Sequence, residues 1–416
     1  MLLYLLFSAN QRKMFILEYK LRGKTQQFKA IDEGIRTVQF VRNKCVSLWM
    51  NSKNVGKAEV YRYTTTLRKE FPFVKCLNST ACQQAGERAW SAISKFYDNC
   101  KKQVKGKKGY PKFSKRTRSI EYKQSGWKLD RDHKRITFTD GNNIGTLKLI
   151  GSRDLYYFQE FQIQRVRLVK RADGYFCQFC LKLDVRDITP ILPQTKKMVG
   201  IDVGLKYFYA DSDGNFVENP RFYRYSEARL NRLNHRKSRK LKKGKPVSNN
   251  YIKARQRYSK AHLKVSRQRE EFGKVTALRL IQSNDLIAYE DLKVKNLVRN
   301  SKLSKSINDA GWSQFRKWLE YFGVKYGKLT IAVNPAYTSQ DCFQCGKRIK
   351  KSLSTRTHVC SCGYIEDRDT QASLNILRKA TMGHIGSKSD LLDLNAWGDL
   401  SSILFGGNTC QGKMNQ

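Results

Sequence analysis

Four cysteines late in this 416-residue chain, Cys342-Phe-Gln-Cys345 and Cys360-Ser-Cys362, are followed closely by an acidic cluster, Glu366-Asp367-Arg368-Asp369. The two pairs stand fourteen residues apart, each beside a glycine (Gly346, Gly363), which is zinc-knuckle spacing. Four thiolates close a tetrahedron around Zn²⁺ and leave no open position, so one structural ion is expected there. The second pair is CxC rather than CxxC, which tightens that knuckle, and His358 is a possible substitute ligand. Carboxylates do different chemistry. They suit Mg²⁺, which takes oxygen ligands and handles phosphates.

Two further acids stand out. Asp202 lies within the apolar run Met198-Val-Gly-Ile-Asp-Val-Gly204, and Glu290 ends another, Asp285-Leu-Ile-Ala-Tyr-Glu290. Asp367 and Asp369 precede a helical pattern from Thr370 to about Lys379. A carboxylate in a buried strand is costly unless it is paired or bound to a cation. Strand Asp, strand Glu and helix-start Asp are what an RNase H-like nuclease core requires, with two Mg²⁺ ions about 3.5–4 Å apart. Singly, each acid has a plainer reading. Asp202 can serve a strand-end turn, Glu290 can pair with a lysine, and Asp369 can cap a helix.

Against 81 Lys and Arg stand 35 Asp and Glu, a formal net charge of +46. Such self-repulsion is relieved by a polyanion, so nucleic acid is the expected partner. A hydrophobic content of 40% and aromatic content of 12% indicate a folded protein rather than a basic tail. A basic ribosome-like structural protein is the alternative on charge alone. Eleven cysteines, an odd number with four at metal spacing, suit a reducing cytoplasm, with nucleoid association through DNA. Cys177-Gln-Phe-Cys180 has the CxxC form but lies in a strand pattern, where residues three apart face opposite ways, so both read as packing cysteines. The opening Met1-Leu-Leu-Tyr-Leu-Leu-Phe7 is too short to span a membrane and lacks a basic segment before it or a cleavage site after it. The first 13 residues are expected to be a dangling end or an upstream start. No membrane partner and no small-molecule substrate are expected.

The acids need elements to carry them. A strand is expected at Phe15–Leu21, helices from Ala30 to Met50 and from Ser79 to Cys100, and basic aromatic-bearing segments between and after them. Lys101 to Arg118, with Gly109-Tyr-Pro-Lys-Phe113, reads either as a solvated linker or as a surface that tracks a nucleic-acid backbone. From Ile120 to Val185 short alternating runs predict a small antiparallel barrel or curved sheet, with strands at Ile136–Phe138, Leu147–Ile150, Phe161–Ile163, Val166–Val169 and from Tyr175. The Phe15 strand can join that sheet, which makes the helices an insertion. Arg229 to Arg269 holds sixteen Lys or Arg and no acid, its first half expected as a flexible loop through Pro246 and its second half as helix. A polar loop, a helix around Phe315 to Phe322 and a strand at Leu329–Val333 then lead into the cysteines. The tail from Met382 is expected to be poorly ordered.

Val199-Gly-Ile-Asp-Val-Gly-Leu-Lys206, Ile287-Ala-Tyr-Glu-Asp-Leu292, Thr338-Ser-Gln-Asp-Cys-Phe-Gln-Cys345 and Cys362-Gly-Tyr-Ile-Glu-Asp-Arg-Asp369 with Asn375-Ile-Leu377 together resemble the TnpB family of transposon-encoded RNA-guided DNA endonucleases, relatives of type V CRISPR effectors. The resemblance covers about residues 14 to 380. It implies a multidomain α+β protein: a split β-barrel wedge domain with a helical recognition insertion, then an RNase H-like (RuvC) α/β nuclease core with an inserted zinc ribbon. The implied divisions are 1–28 for the N-terminal end and first wedge strand, 29–118 for recognition and 119–195 for the remaining wedge. Then come 196–335 for the first two nuclease motifs, 336–364 for the ribbon, 365–381 for the third motif and 382–416 for a disordered tail.

The resemblance implies cleavage of double-stranded DNA beside a short flanking motif, with guide RNA and target DNA as partners and Mg²⁺ and Zn²⁺ as cofactors. Its catalytic, Mg²⁺-holding acids are Asp202, Glu290 and Asp369. Asp369 is preferred to Asp367 because Asp369-Thr-Gln-Ala372 aligns with the family's last motif, from which Gln371 and Ser373 depart. Its zinc ligands are Cys342, Cys345, Cys360 and Cys362. Asn78, Ser79, Thr80 and Gln83 are candidates for reading the flank, or else for capping the next helix. Lys112, Arg236, Lys237, Arg239 and Lys240 are candidates for contacting nucleic-acid backbone. A DNA-binding regulator without cleavage is the alternative, opposed by the retention of all three acids. A strand-joining transposase lacks an evident Tyr and His-x-His set.

Overall fold

The computed structural model describes residues 15–382, apart from 105, 154, 159–162, 187, 243 and 353–354. The expectations for the first 13 residues and for the tail beyond 382 lie outside these residues. The described chain separates into two compact units, 15–184 and 185–382.

In the first unit, β1 (Phe15–Arg22) alternates so that Leu17, Tyr19 and Leu21 are buried. Four helices follow: α1 (Thr25–Asn51), α2 (Lys57–Glu70), α3 (Pro72–Lys75) and α4 (Ser79–Lys101). Six strands complete the unit: β2 (Ser119–Tyr122), β3 (Trp127–Leu129), β4 (Arg135–Phe138), β5 (Gly145–Ile150), β6 (Ile163–Arg171) and β7 (Gly174–Leu181). They form one antiparallel sheet in the order β2-β6-β7-β1-β5-β4-β3. β1 pairs with β7 from Phe15–Leu181 to Lys20–Phe176, so the helices are inserted between two strands of one sheet.

Some local expectations are corrected. α1 begins at Thr25 rather than Ala30. The basic stretch after it contains α2, whose Val60, Thr64 and Leu67 bury one helical face. The runs around Ile163 and Val166–Val169 are one strand, β6, while Phe161 lies outside the described residues. Residues 112–117 are pinned to α1 rather than hanging loose. Arg42 Nη1 donates to the Lys112 carbonyl (3.1 Å), Asn43 Nδ2 to the Ser114 carbonyl (3.0 Å), and the Thr117 amide to Gln39 Oε1 (3.0 Å). Cys177 and Cys180 are both buried within β7, where burial pushes the two thiols up.

Glu121 of β2 fastens a helix to this sheet. Its carboxylate accepts from Arg88 of α4 and from Arg165 and Arg167 of β6, each at 3.0 Å. Burial opposes its charge, yet Arg167, Arg88 and Arg165 outweigh burial and hold the carboxyl below its usual range.

The second unit contains β8 (Met198–Val203), β9 (Tyr207–Asp211), β10 (Phe216–Glu218), α5 (Phe222–Arg239), α6 (Asn249–Ser283), β11 (Leu286–Glu290), α7 (Val294–Leu297), α8 (Ser301–Ala310), α9 (Trp312–Tyr326) and β12 (Leu329–Val333). The small hairpin β13 (Thr357–Val359) and β14 (Ile365–Asp367) then leads into α10 (Arg368–Met382). The main sheet runs β10-β9-β8-β11-β12, antiparallel through β8 and parallel from β8 to β12. Its two faces are covered differently. Val199, Ile201, Ile287 and Tyr289 pack with Ala277, Leu280 and Ile281 of α6 and Phe315, Leu319 and Phe322 of α9. Leu286, Ala288 and Val333 pack with Ile376 and Ala380 of α10.

The expected loop from Arg229 to Pro246 is helical through Arg239, and the expected polar loop before Phe315 contains α8. Asp309 of α8 explains how the basic α5 starts where it does. Its carboxylate accepts from the Tyr223 amide (2.8 Å) and the Arg224 amide (3.1 Å), two donors that a helix N-terminus leaves open. Asp285 ties the unit's entry strand in place. It is paired with Lys328 in a buried ion pair and accepts from the amides of Thr195 (2.9 Å) and Lys196 (2.6 Å).

A depressed carboxyl contributes stability above its unfolded pKa and loses it as pH falls through the folded value. Glu121→Gln is therefore expected to lower stability by about 3 kcal/mol at pH 7, because three arginines lose their shared partner. The deficit should shrink below about pH 4. Denaturant unfolding at both pH values checks this, and a variant as stable as wild type at pH 7 refutes it.

Candidate carboxylate site and cysteine metal centre

The parallel register brings two of the acids together. β11 and β8 pair from Leu286–Met198 to Tyr289–Ile201, so the next step sets Glu290 beside Asp202. Neighbouring strands lie about 4.8 Å apart. Side chains alternate, so Glu290 shares its face with Leu286 and Ala288, the face that α10 covers. Asp202 likewise shares the face of Gly200. A Cβ at Gly200 would collide with the Ser373 carbonyl and lie 2.8 Å from the Leu377 amide, so strand backbone and helix backbone are in direct contact there.

That contact delivers the start of α10 to the ends of β8 and β11. Asp367 Oδ1 accepts from the Asp369 amide (2.8 Å) and the Thr370 amide (3.2 Å), so Asp367 caps the helix. Asp369, in the first turn, turns its carboxylate to other partners, with Oδ2 at 3.7 Å from Arg356 Nη1. Burial first, then the charges of Glu290 and Asp369, push the Asp202 carboxyl well above its usual range. Burial also raises Glu290, against a hydrogen bond from Thr338 and the charge of Lys379. Among the described residues the ligand atoms gathered within 4.8 Å of one another are the cysteine sulfurs, so the three carboxylates stand more openly than that.

The residues that depart from the resembled pattern have clear roles. Ser373 Oγ donates toward the Ala210 carbonyl (2.8 Å) and the Asp369 carbonyl (2.9 Å), tying α10 to β9. Gln371 is buried and donates to the Asp341 carbonyl.

Cys342, Cys345, Cys360 and Cys362 converge. Cys342 Sγ and Cys362 Sγ are 3.7 Å apart, Cys345 Sγ and Cys360 Sγ 3.5 Å apart, and all four sulfurs lie within 4.8 Å. A tetrahedral ion with Zn–S bonds of about 2.3 Å requires sulfur–sulfur edges of about 3.8 Å. The donor set fits zinc. Gly346 (φ +75°) and Gly363 (φ +87°) make the left-handed turns that fold each pair back. His358 is not a fifth candidate. It is buried on β13 with Nδ1 against Lys351 Nζ, outside the sulfur cluster.

The nucleic-acid candidates are scattered more widely. Asn78 caps α4, its Oδ1 accepting from the Thr80 amide (2.8 Å) and hydroxyl (2.7 Å), whereas Ser79 and Gln83 are exposed. Lys112 is exposed beside α1. Arg236, Arg239 and Lys240 are exposed at the end of α5, and Lys237 lies 4.3 Å over the Tyr258 ring of α6. Thr338 and Arg356, which touch Glu290 and Asp369, were not singled out from sequence. Position alone could have flagged Thr338, four residues before Cys342.

The described chain combines a mixed α+β fold, carboxylates at adjacent strand ends, a helix-borne third acid and a four-cysteine cluster. The comparisons with known proteins narrow what that combination can be. A family described as a probable transposase, OrfB_IS605, matches residues 178–301, and the Cas12f1-like TNB domain matches residues 312–376. A protein of Streptomyces pristinaespiralis named "Putative RNA-guided DNA endonuclease" is 30% identical over 372 residues, 86% of this chain and 88% of that one. InsQ of Escherichia coli (strain K12), named likewise, is 28% identical over 286 residues, 64% of this chain and 68% of its own. The solved structure of the mini-RNA-guided endonuclease CRISPR-Cas_phi3 shares the fold at TM-score 0.50 and 11% identity, over 92% of this chain and 95% of that one. The chain belongs to the TnpB family.

An acid whose folded pKa is raised costs stability as pH climbs from its unfolded toward its folded value, so Asp202 weakens the metal-free fold at neutral pH. Asp202→Asn is expected to raise the melting temperature of metal-free protein by roughly 2–4 °C. An unchanged or lower melting temperature counts against the crowding described. For the cysteines, elemental analysis should find one zinc per chain, and Cys360→Ser should lose it.

Proposed function

We propose that this chain is a transposon-encoded, RNA-guided DNA endonuclease that cuts double-stranded DNA beside a short flanking motif. The names carried by its relatives support the class, and one observation carries the site: Asp202 and Glu290 stand side by side at parallel strand ends while α10 presents Asp369 to them. The sheet order, three antiparallel strands followed by two parallel to β8 with α10 across one face, supports an RNase H-like (RuvC-like) reading of this core.

Asp202, Glu290 and Asp369 would hold divalent cations, with Mg²⁺ the choice for carboxylates that handle phosphates. Such ions supply activation of water and stabilisation of the leaving 3′ oxygen. The protein's own part is to hold three acids aimed at one place. Burial first, then repulsion from Glu290 and Asp369, raises Asp202, and a nearby positive charge would offset both. The cysteine centre is structural in this reading, because four thiolates leave no open ligand position.

The antiparallel sheet with its inserted helices would act as wedge and recognition region, on the divisions 1–28, 29–118 and 119–195. Exposed Ser79 and Gln83 remain available to a flanking duplex, while Asn78 is engaged as a cap. The Arg229–Arg269 stretch, with sixteen basic residues across α5, the segment after it and α6, would track guide RNA or heteroduplex backbone. Sequence recognition itself would fall to base pairing by the guide.

The test is a plasmid library with randomised flanks, incubated with the protein, its co-purified RNA and Mg²⁺. Linear product is expected from wild type and from Asp367→Ala, which loses only a cap of about 1 kcal/mol. Asp202→Ala and Asp369→Ala should give none. Cutting by Asp202→Ala would sink the site, and a protected but uncut flank in wild type would make the protein a regulator.

A further inference from the structure

Thr338 Oγ1 donates to Glu290 Oε1 at 2.5 Å, with the Pro335 carbonyl a weaker alternative at 3.2 Å. Thr338 is only 4% exposed, so water competes poorly for that bond. One oxygen of Glu290 is fixed and the other is left for a ligand. The loop that carries Thr338 is in turn gripped by α10. Asn375 Nδ2 donates to the carbonyls of Thr338 (2.9 Å) and Asp341 (2.6 Å), and Gln371 donates to the same Asp341 carbonyl. Lys379 Nζ reaches the Ala336 carbonyl at 2.5 Å.

The far end of this loop is the cysteine centre. Asp341 directly precedes Cys342, whose amide donates to the Lys347 carbonyl (2.9 Å) inside the first knuckle. Tyr337 sits at φ +64°, a left-handed conformation that a bulky residue keeps only where its surroundings impose it. Its carbonyl accepts from the amides of Gln340 (2.9 Å) and Asp341 (3.0 Å), closing the turn that joins Thr338 to the knuckle.

We propose that Thr338 is a positioning residue that sets Glu290 for cation binding, and that the folded cysteine knuckle holds Thr338 in place through the 337–342 turn. The inference rests on the reading of Asp202, Glu290 and Asp369 as a divalent-cation site. A glutamate without its hydroxyl partner recovers rotamer freedom that cation binding must then remove. The ribbon would thus act at the acidic site as well as building its own fold.

Calorimetric titration of the full chain with Mn²⁺ tests this apart from cleavage. Thr338→Val is expected to weaken Mn²⁺ binding roughly 10- to 100-fold. Thr338→Ser, which keeps the hydroxyl, should return to within about threefold of wild type. Both should keep one zinc per chain and the wild-type melting temperature. If the valine variant melts early, Thr338→Ala takes its place. Cys345→Ser should also weaken Mn²⁺ binding, and combined with Thr338→Val it should add little, as coupled residues do. Wild-type affinity in Thr338→Val, with binding still lost in Asp202→Ala, overturns the inference and leaves the site standing. Full additivity of Cys345→Ser and Thr338→Val overturns the link to the knuckle. No Mn²⁺ binding by wild type overturns the site and the inference together.

Discussion

The acidic site depends on one close approach, helix backbone on strand backbone at Gly200. The Ser373 carbonyl and Leu377 amide occupy the volume that any side chain at Gly200 would need. Because α10 can settle that deeply, Ile376 and Ala380 reach the strand layer and its first turn arrives level with the ends of β8 and β11. Glycine is usually read as a source of backbone freedom. Here its backbone lies in an ordinary strand, and the requirement is the absence of a Cβ.

Three buried carboxylates elsewhere among the described residues have partners of their own. Glu121 has three arginines, Asp285 a lysine and two amides, and Asp309 two helix amides. These are joints, each tying one element to another. Asp202 differs: burial and further acids raise it, and the charge of Arg368 acts only against part of that. Those three acids are answered by amides and cations, whereas Asp202 faces burial and like charge that a cation can relieve.

Much of this was legible in the residues, and the limits have physical causes. Alternation in Phe15–Arg22 marked a half-buried strand, and turn residues between later runs marked its partners. The acids stood out because a carboxylate in an apolar run is costly. α5 was not legible, because Leu230 is its one buried residue and, Leu233 apart, residues 231–239 are polar or basic, so periodicity carried little signal. Its start depends on Asp309, which lies 86 residues from Tyr223 and could not be associated with it from sequence. Residue type could not divide the roles of Asp367 and Asp369 either, since both can cap. The hydrogen bonds from the Asp369 and Thr370 amides give the cap to Asp367.

The long helix α6 is uneven along its length. Its 35 residues extend roughly 50 Å, yet its buried positions begin at Val265 and cluster from Gly273 to Ile281. Residues 249–264 rest on α5 and solvent, without a fully buried side chain among them. Amide hydrogen exchange should therefore grade along a single helix, fast toward Asn249 and slow toward Ser283, because opening the first half exposes little apolar surface. This basic half of the helix is then also one of the least costly parts of the described chain to unwind. It can refit its charges to an irregular polyanion while the end next to β11 keeps the sheet intact.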